Sequence, residues 1–193
     1  MFNEKAKSVD SVATTVISGT AVQNQIKGGG VFSVECRDKD GNIKWTAESP
    51  NLVVNVGLKD MNEKYFTGAT YSATWYLGLY GAGSSNNPAA GDTMASHAGW
   101  TEVTAYTQSD RPAASFGTAT TADPSVISNS GSPAVFSING TTTVGGAFLT
   151  SNNTKGGTTG ILFSASDFTS PGDRSVVNGD TLNVSYSFSL DAA

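Results

Sequence analysis

The sequence predicts a mainly β protein, an antiparallel β-sandwich or jelly roll with one short helix and a flexible N-terminal arm. Three observations lead there. Charged residues make up only 14% of the 193, well under the roughly 25% of an ordinary soluble domain, and Gly, Ser, Thr and Asn fill the gap. Long surface helices favour Ala, Leu, Glu, Lys and Arg, so this is a strand-and-turn composition. Residues 181–190 alternate strictly: Leu182, Val184, Tyr186, Phe188 and Leu190 face one way, and Thr181, Asn183, Ser185, Ser187 and Ser189 the other. Such alternation means one face buried and one face wet or partner-facing. Short strand-like runs recur with turn residues between them, without a fixed repeat.

Residues 1–30 differ from the rest. They carry one aromatic, Phe2, and end in Gly28-Gly29-Gly30, a run that predicts a flexible joint between an arm and a sandwich domain over 31–193. The domain opens with a hairpin over 31–50. Val31–Cys36 and Ile43–Trp45 flank Asp38-Lys39-Asp40-Gly41-Asn42, and Asp-Gly between such runs favours a tight turn. A helix follows over 56–66, capped by Asn55 and stopped by Gly68. Leu58, Met61, Tyr65 and Phe66 give it an apolar stripe, which predicts docking on a sheet. Strands are then expected at 71–80, 100–106, 113–118, 134–138, 141–150, 159–164 and 181–190, with a long Gly, Ser, Asn and Ala loop over 81–99. In 71–80, Ala73, Trp75, Leu77 and Leu79 share one face; Thr74, Tyr76, Gly78 and Tyr80 share the other.

Charge and composition also bear on function. A formal net charge of -5 with eleven basic residues opposes nucleic-acid binding, which needs clustered Lys and Arg. No apolar run approaches membrane-helix length, and Met1–Lys5 lacks the pattern of a signal peptide. The single Cys36 rules out an internal disulfide and fits a reducing cytoplasm.

Candidate chemistry is sparse. Asp38–Asn42 resembles the start of a calcium loop, but Gly41 stands fourth instead of sixth and Ser49 occupies the place of the twelfth-position Glu. Asp92, Ser96 and His97 invite a triad reading. Neighbours in sequence seldom converge, however, whereas a working triad gathers its members from separate elements; anchoring of the loop by His97 and Trp100 is the simpler expectation. One His and one Cys cannot build a common transition-metal site. Neither Gly28–Gly30 nor Gly81–Ser85 has phosphate-loop form. Glycan hydrolysis would need paired carboxylates from different strands, and nothing singles out a pair. Trp75, Tyr76 and Tyr80 could stack on sugar, but aromatics on both faces of a strand fit core plus interface better. The expectation is a protein with no catalytic, cofactor or metal residues, and not an enzyme.

Two stretches carry a resemblance: Thr74-Trp75-Tyr76-Leu77-Gly78-Leu79, and Ala90-Gly91-Asp92-Thr93-Met94-Ala95-Ser96-His97-Ala98-Gly99-Trp100-Thr101-Glu102. Asn51–Leu58, Val144–Leu149, Asn153–Gly160 and Gly179–Val184 add to it. Together they resemble a family of small virion structural proteins of tailed double-stranded-DNA bacteriophages, over about residues 31–190. The resemblance implies a virion component. With the flexible arm, the polar low-charge surface and the sparse chemistry, the expectation is a capsid decoration (cement) protein that binds and stabilises the lattice of the major capsid protein. It would associate with itself, lie on the capsid surface after assembly in the host cytoplasm, and use no cofactor, nucleic acid or membrane. The alternative is a tail-associated or fibre protein acting as a host-adhesion module through loop 81–99, Tyr76 and Tyr80.

Overall fold

The computed structural model describes residues 26–71, 74–81, 88–169 and 172–192. Strands β1 (Ile26–Arg37), β2 (Ile43–Pro50), β3 (Leu52–Val53), β4 (Trp75–Tyr80), β5 (Ala113–Ala114), β6 (Ser125–Ser128), β7 (Ala134–Ser137), β8 (Thr142–Val144), β9 (Gly146–Thr150), β10 (Leu162–Asp167), β11 (Arg174–Val176) and β12 (Thr181–Ala192) surround one helix, α1 (Asn55–Phe66). Sheet A runs β2-β1-β12-β6, with β7 also on β12; sheet B runs β3-β10-β9-β4-β5; β11 and β8 form a separate pair. Every strand pairing is antiparallel. The molecule is mainly β and sandwich-like, as its composition predicts, though these pairings do not specify jelly-roll wiring.

The sheets meet across one core. Phe32, Val34, Cys36, Leu182, Val184 and Tyr186 come from sheet A, and Leu77, Leu79, Leu149 and Phe163 from sheet B. Alternation in β12 holds as expected, although Leu190, near its end, is 37% exposed. A second, smaller cluster lies on the other face of sheet B. Tyr80, Phe148, Leu162 and Ala165 pack there with Val54, Met94 and Trp100. Ala147, Phe148 and Leu149 are therefore all buried, and β9 reads as a continuous apolar run because both its faces are covered.

Glycines make that second layer possible. Gly78 pairs with Phe148, and Tyr80 with Gly146, across the same two strands. A Cβ on Gly78 would lie 2.1 Å from the Phe148 ring, and one on Gly146 would lie 2.1 Å from the Tyr80 ring. Each ring lies over the glycine opposite, which covers the gap a missing side chain leaves in a sheet.

Three expectations need correction. Gly28–Gly30 are not a joint: they lie in β1, in register with Leu190, Ser189 and Phe188 of β12. At Gly30 the reason is space, since a Cβ would meet the Ser187 carbonyl at 2.4 Å and the Tyr186 hydroxyl at 2.8 Å. Its N–H donates to Asn51 Oδ1 (2.6 Å), and the Asn51 amide donates to Tyr186 Oη (2.7 Å). The strand thus begins by Ile26, and the remainder of the expected arm, residues 1–25, lies outside the described residues.

The second correction concerns α1. Asn55 is its first residue, and Val54 stands at the cap position without a side-chain cap. The helix docks by Gly57, where a Cβ would lie 2.4 Å from the Phe163 carbonyl oxygen, and by the buried Asp60. Lys64 pairs with Asp60 (3.1 Å) and lies over the rings of Tyr71 and Trp75. Apart from the half-buried Met61, the apolar stripe faces out: Leu58 is 49% exposed, Tyr65 84% and Phe66 77%. Close backbone approach at a glycine, rather than side-chain hydrophobicity, chose the docked face.

Third, residues 100–106 form no strand but extended chain with single bridges, Tyr80 to Glu102 and Tyr106 to Ile138. Three short strands escape the pattern of alternation altogether: β3, β6 and β11 are only two to four residues long.

Candidate functional site

The Asp38–Asn42 segment is a hairpin turn. Asp38 Oδ1 accepts the N–H groups of Asp40 (2.9 Å) and Asn42 (2.8 Å), and Gly41 takes the positive φ of 86°. Hydrogen bonds from the Asn42 side chain and then its backbone hold the Asp38 carboxyl below its ordinary value. Its oxygens are engaged by the turn. Among the described residues, no group of three or more His, Cys, Asp or Glu could hold a metal ion.

The Asp92, Ser96 and His97 trio lies in the segment that roofs sheet B, and its members serve different bonds. Asp92 Oδ2 accepts from the Ala89 N–H (3.0 Å) and from Trp100 Nε1 (3.3 Å). The Ser96 N–H donates to Thr93 Oγ1 (3.0 Å). His97 stacks on Trp100, with ring centroids 3.7 Å apart, and its Nδ1 lies 3.0 Å from the Trp100 carbonyl. A carbonyl can only accept, so Nδ1 is the donor in this bond. The carboxylate that would orient His97 in a triad is turned to the indole instead, and the histidine anchors its loop as expected.

Beside this stack is a hollow of about 320 Å³, lined by Met94, His97, Trp100, Glu102, Phe148 and Gly156 among others. Its polar wall is already paired. Arg111, with no exposed side-chain surface, donates Nε to Glu102 Oε1 (2.9 Å) and Nη2 to Oε2 (2.6 Å). It also donates Nη1 to the Asn152 carbonyl (2.9 Å) and Nη2 to the Gly157 carbonyl (2.7 Å). The Gly156 N–H completes the Glu102 carboxylate (2.8 Å). Lys155 donates to the carbonyls of Tyr106 (3.0 Å) and Gln108 (2.6 Å) and lies 4.4 Å from the Tyr106 ring centre. A buried, bidentate and otherwise saturated pair of this kind fixes loops, because every charge is matched inside the fold. Nothing in the local sequence marks Glu102 and Arg111 as partners; 9 positions separate them, and only the fold brings them and the 152–157 carbonyls together.

The aromatic platform does not assemble. Tyr80 is buried, tilted against Trp100 with ring centroids 5.0 Å apart, and donates its hydroxyl to Asp167 (3.3 Å). Trp75 packs edge-on against Phe163 at 5.4 Å, and Tyr76 is half-buried. Tyr80 therefore leaves the contact set expected for an adhesion loop, and residues 82–87 of that loop lie outside the described ones. Cys36 is a buried free thiol, and desolvation pushes it up to about 11, so it packs as an apolar side chain and not as a nucleophile.

The open surface of sheet A is broader. A hollow of about 910 Å³ is lined by Ser33, Glu35, Glu48, Val135, Asn183 and Ser185 among others. These are the outward positions of β1, β2, β7 and β12. Arg37 Nε donates to Glu35 Oε1 (2.6 Å), as does the Asn183 amide (3.4 Å), and Arg37 is the main reason the Glu35 carboxyl sits below its ordinary value. This polar, shallow face is suited to a large complementary surface more than to enclosing a small molecule. Comparison with known proteins found no matching family model, no matching curated protein and no matching solved structure.

Proposed function

We propose that this protein is a structural subunit of a tailed-bacteriophage particle, a decoration protein that binds the major capsid protein lattice and stabilises it. The observation that supports the reading is the division of labour among polar groups. Those with the strongest chemistry, Glu102, Arg111, Asp92 and Asp180, are buried fasteners, while the solvent side of sheet A offers a broad hollow of mixed polar and apolar lining to a partner. The resemblance of residues 74–79 and 90–102 to phage virion proteins gives that partner its identity. Many such contacts, repeated over a lattice, add up through multivalency without any strong single site.

The test is to mix purified protein with heads that lack it and sediment the mixture. Saturable co-sedimentation is expected, and it should weaken when Glu48→Lys and Val135→Glu alter the hollow. Heads that bring down no protein would sink the reading. Immunogold labelling of intact particles on the tail would favour the adhesion alternative, which has lost Tyr80 from its contact set.

A further inference from the structure

We infer that the outward face of α1 is a self-association surface, which pairs with the same face of a second copy about a two-fold axis. The inference deepens the reading above by naming one surface that copies share, and it is tested on free protein without heads. The helix cannot roll to bury its stripe, because Gly57 is pressed on the Phe163 carbonyl and Asp60 and Lys64 are tied beneath. Leu58, Tyr65 and Phe66 are thus held in solvent. Large aromatics so exposed are the residues that anchor interfaces.

The second copy is argued from complementarity. Leu58 lies toward the start of the helix and Tyr65 and Phe66 at its end. Between them Lys59 and Glu63 form an exposed ion pair along the helix (2.6 Å), with side chains 68% and 46% exposed. When two such helices cross antiparallel about their midpoints, Leu58 of each copy meets the aromatic end of the other. Lys59 of each copy then lies beside Glu63 of the other, so the two exposed pairs can join into a four-charge cluster, and the helix dipoles oppose. The face therefore matches itself in shape, charge and polarity.

The experiment is sedimentation of the full chain up to about 100 µM, where a contact of micromolar strength is populated. A dimer is expected. Tyr65→Ser with Phe66→Ser should weaken it by roughly a hundredfold or more, since anchor residues carry most of the energy, while the thermal melt stays cooperative. Lys59→Glu alone and Glu63→Lys alone should each weaken it by roughly tenfold, because like charges then meet. An equimolar mixture of those two variants should dimerise again, which repair of the pair within one helix cannot produce. A monomeric wild type overturns the inference: protection of Tyr65 and Phe66 from hydroxyl-radical labelling would assign the face to residues 1–25, and free labelling would leave it to a different protein. A dimer indifferent to Tyr65 and Phe66, or a mixture that fails to recover, overturns it as well.

Discussion

The two sheets start from similar sequence material and end in different environments. In sheet A, β12 alternates buried and half-buried residues from Thr181 to Tyr186, with Thr181, Asn183 and Ser185 turned outward. In sheet B, β9 is buried at all five positions and β10 at five of six. The difference comes from what lies on top: Val54, Met94, Trp100 and the start of α1 roof sheet B, whereas the hollow of sheet A stays open. A roof turns the outer face of a sheet into a second core, and the side chains under it then carry stability that on sheet A is free for binding.

That contrast can be broken under the roof. Phe148→Ala should cost about 3–5 kcal/mol in urea unfolding, the range for a buried aromatic cut to alanine, because Phe148 touches Trp100 and also covers Gly78. Arg111→Ala should cost about as much, roughly 3–5 kcal/mol, since Glu102 would be left buried without its partner; Arg111→Ala with Glu102→Gln should recover part of the loss. Gly78→Ala should cost about 1–3 kcal/mol through overpacking against the Phe148 ring, and Gly78→Ala in a Phe148→Leu background should cost less. If Phe148→Ala were neutral, the second cluster would not be a core.

Sheet A sharpens the comparison from the other side. Glu48→Gln and Val135→Ser should each move stability by no more than about 0.5 kcal/mol, and the proposed capsid role expects them to change attachment to heads. Glu35 supplies the pH dependence. Its folded value is lowered, first by Arg37, so its contribution is complete above the ordinary carboxylate value of 4.5. That contribution is lost as pH falls through the folded value. Arg37→Gln should bring the Glu35 carboxyl back toward 4.5 in an NMR titration.

Legibility in the sequence follows the same divide. Most of the open sheet is legible: a one-faced strand writes its environment into alternation, so β12, the 31–50 hairpin and the polar outward positions can be placed from sequence, whereas β6 and the Gly28–Gly30 start of β1 cannot. The roofed sheet is harder. In β4, Gly78 and Tyr80 fall on a second face without a sign that this face is core, because the cover comes from Met94, in the expected loop, and Trp100, at the edge of an expected strand. The pattern finds the helix but not its orientation, since Gly57 docks by lacking a side chain. The Glu102–Arg111 pair has no local signature; it exists only once residues 102, 111 and 152–157 are brought together.

The pairing of β1 with β12 has a consequence in time. Ile26 stands opposite Ala192, and β12 also carries β6 and β7, so sheet A has no centre until the ribosome has delivered residues 181–192. Phe32, Val34 and Cys36 must wait for that strand to emerge before Leu182, Val184 and Tyr186 can bury them. Contacts so distant along the chain close slowly, and apolar strands left waiting invite aggregation or a holding chaperone. The emergence of β12 therefore sets when the core face of sheet A can close.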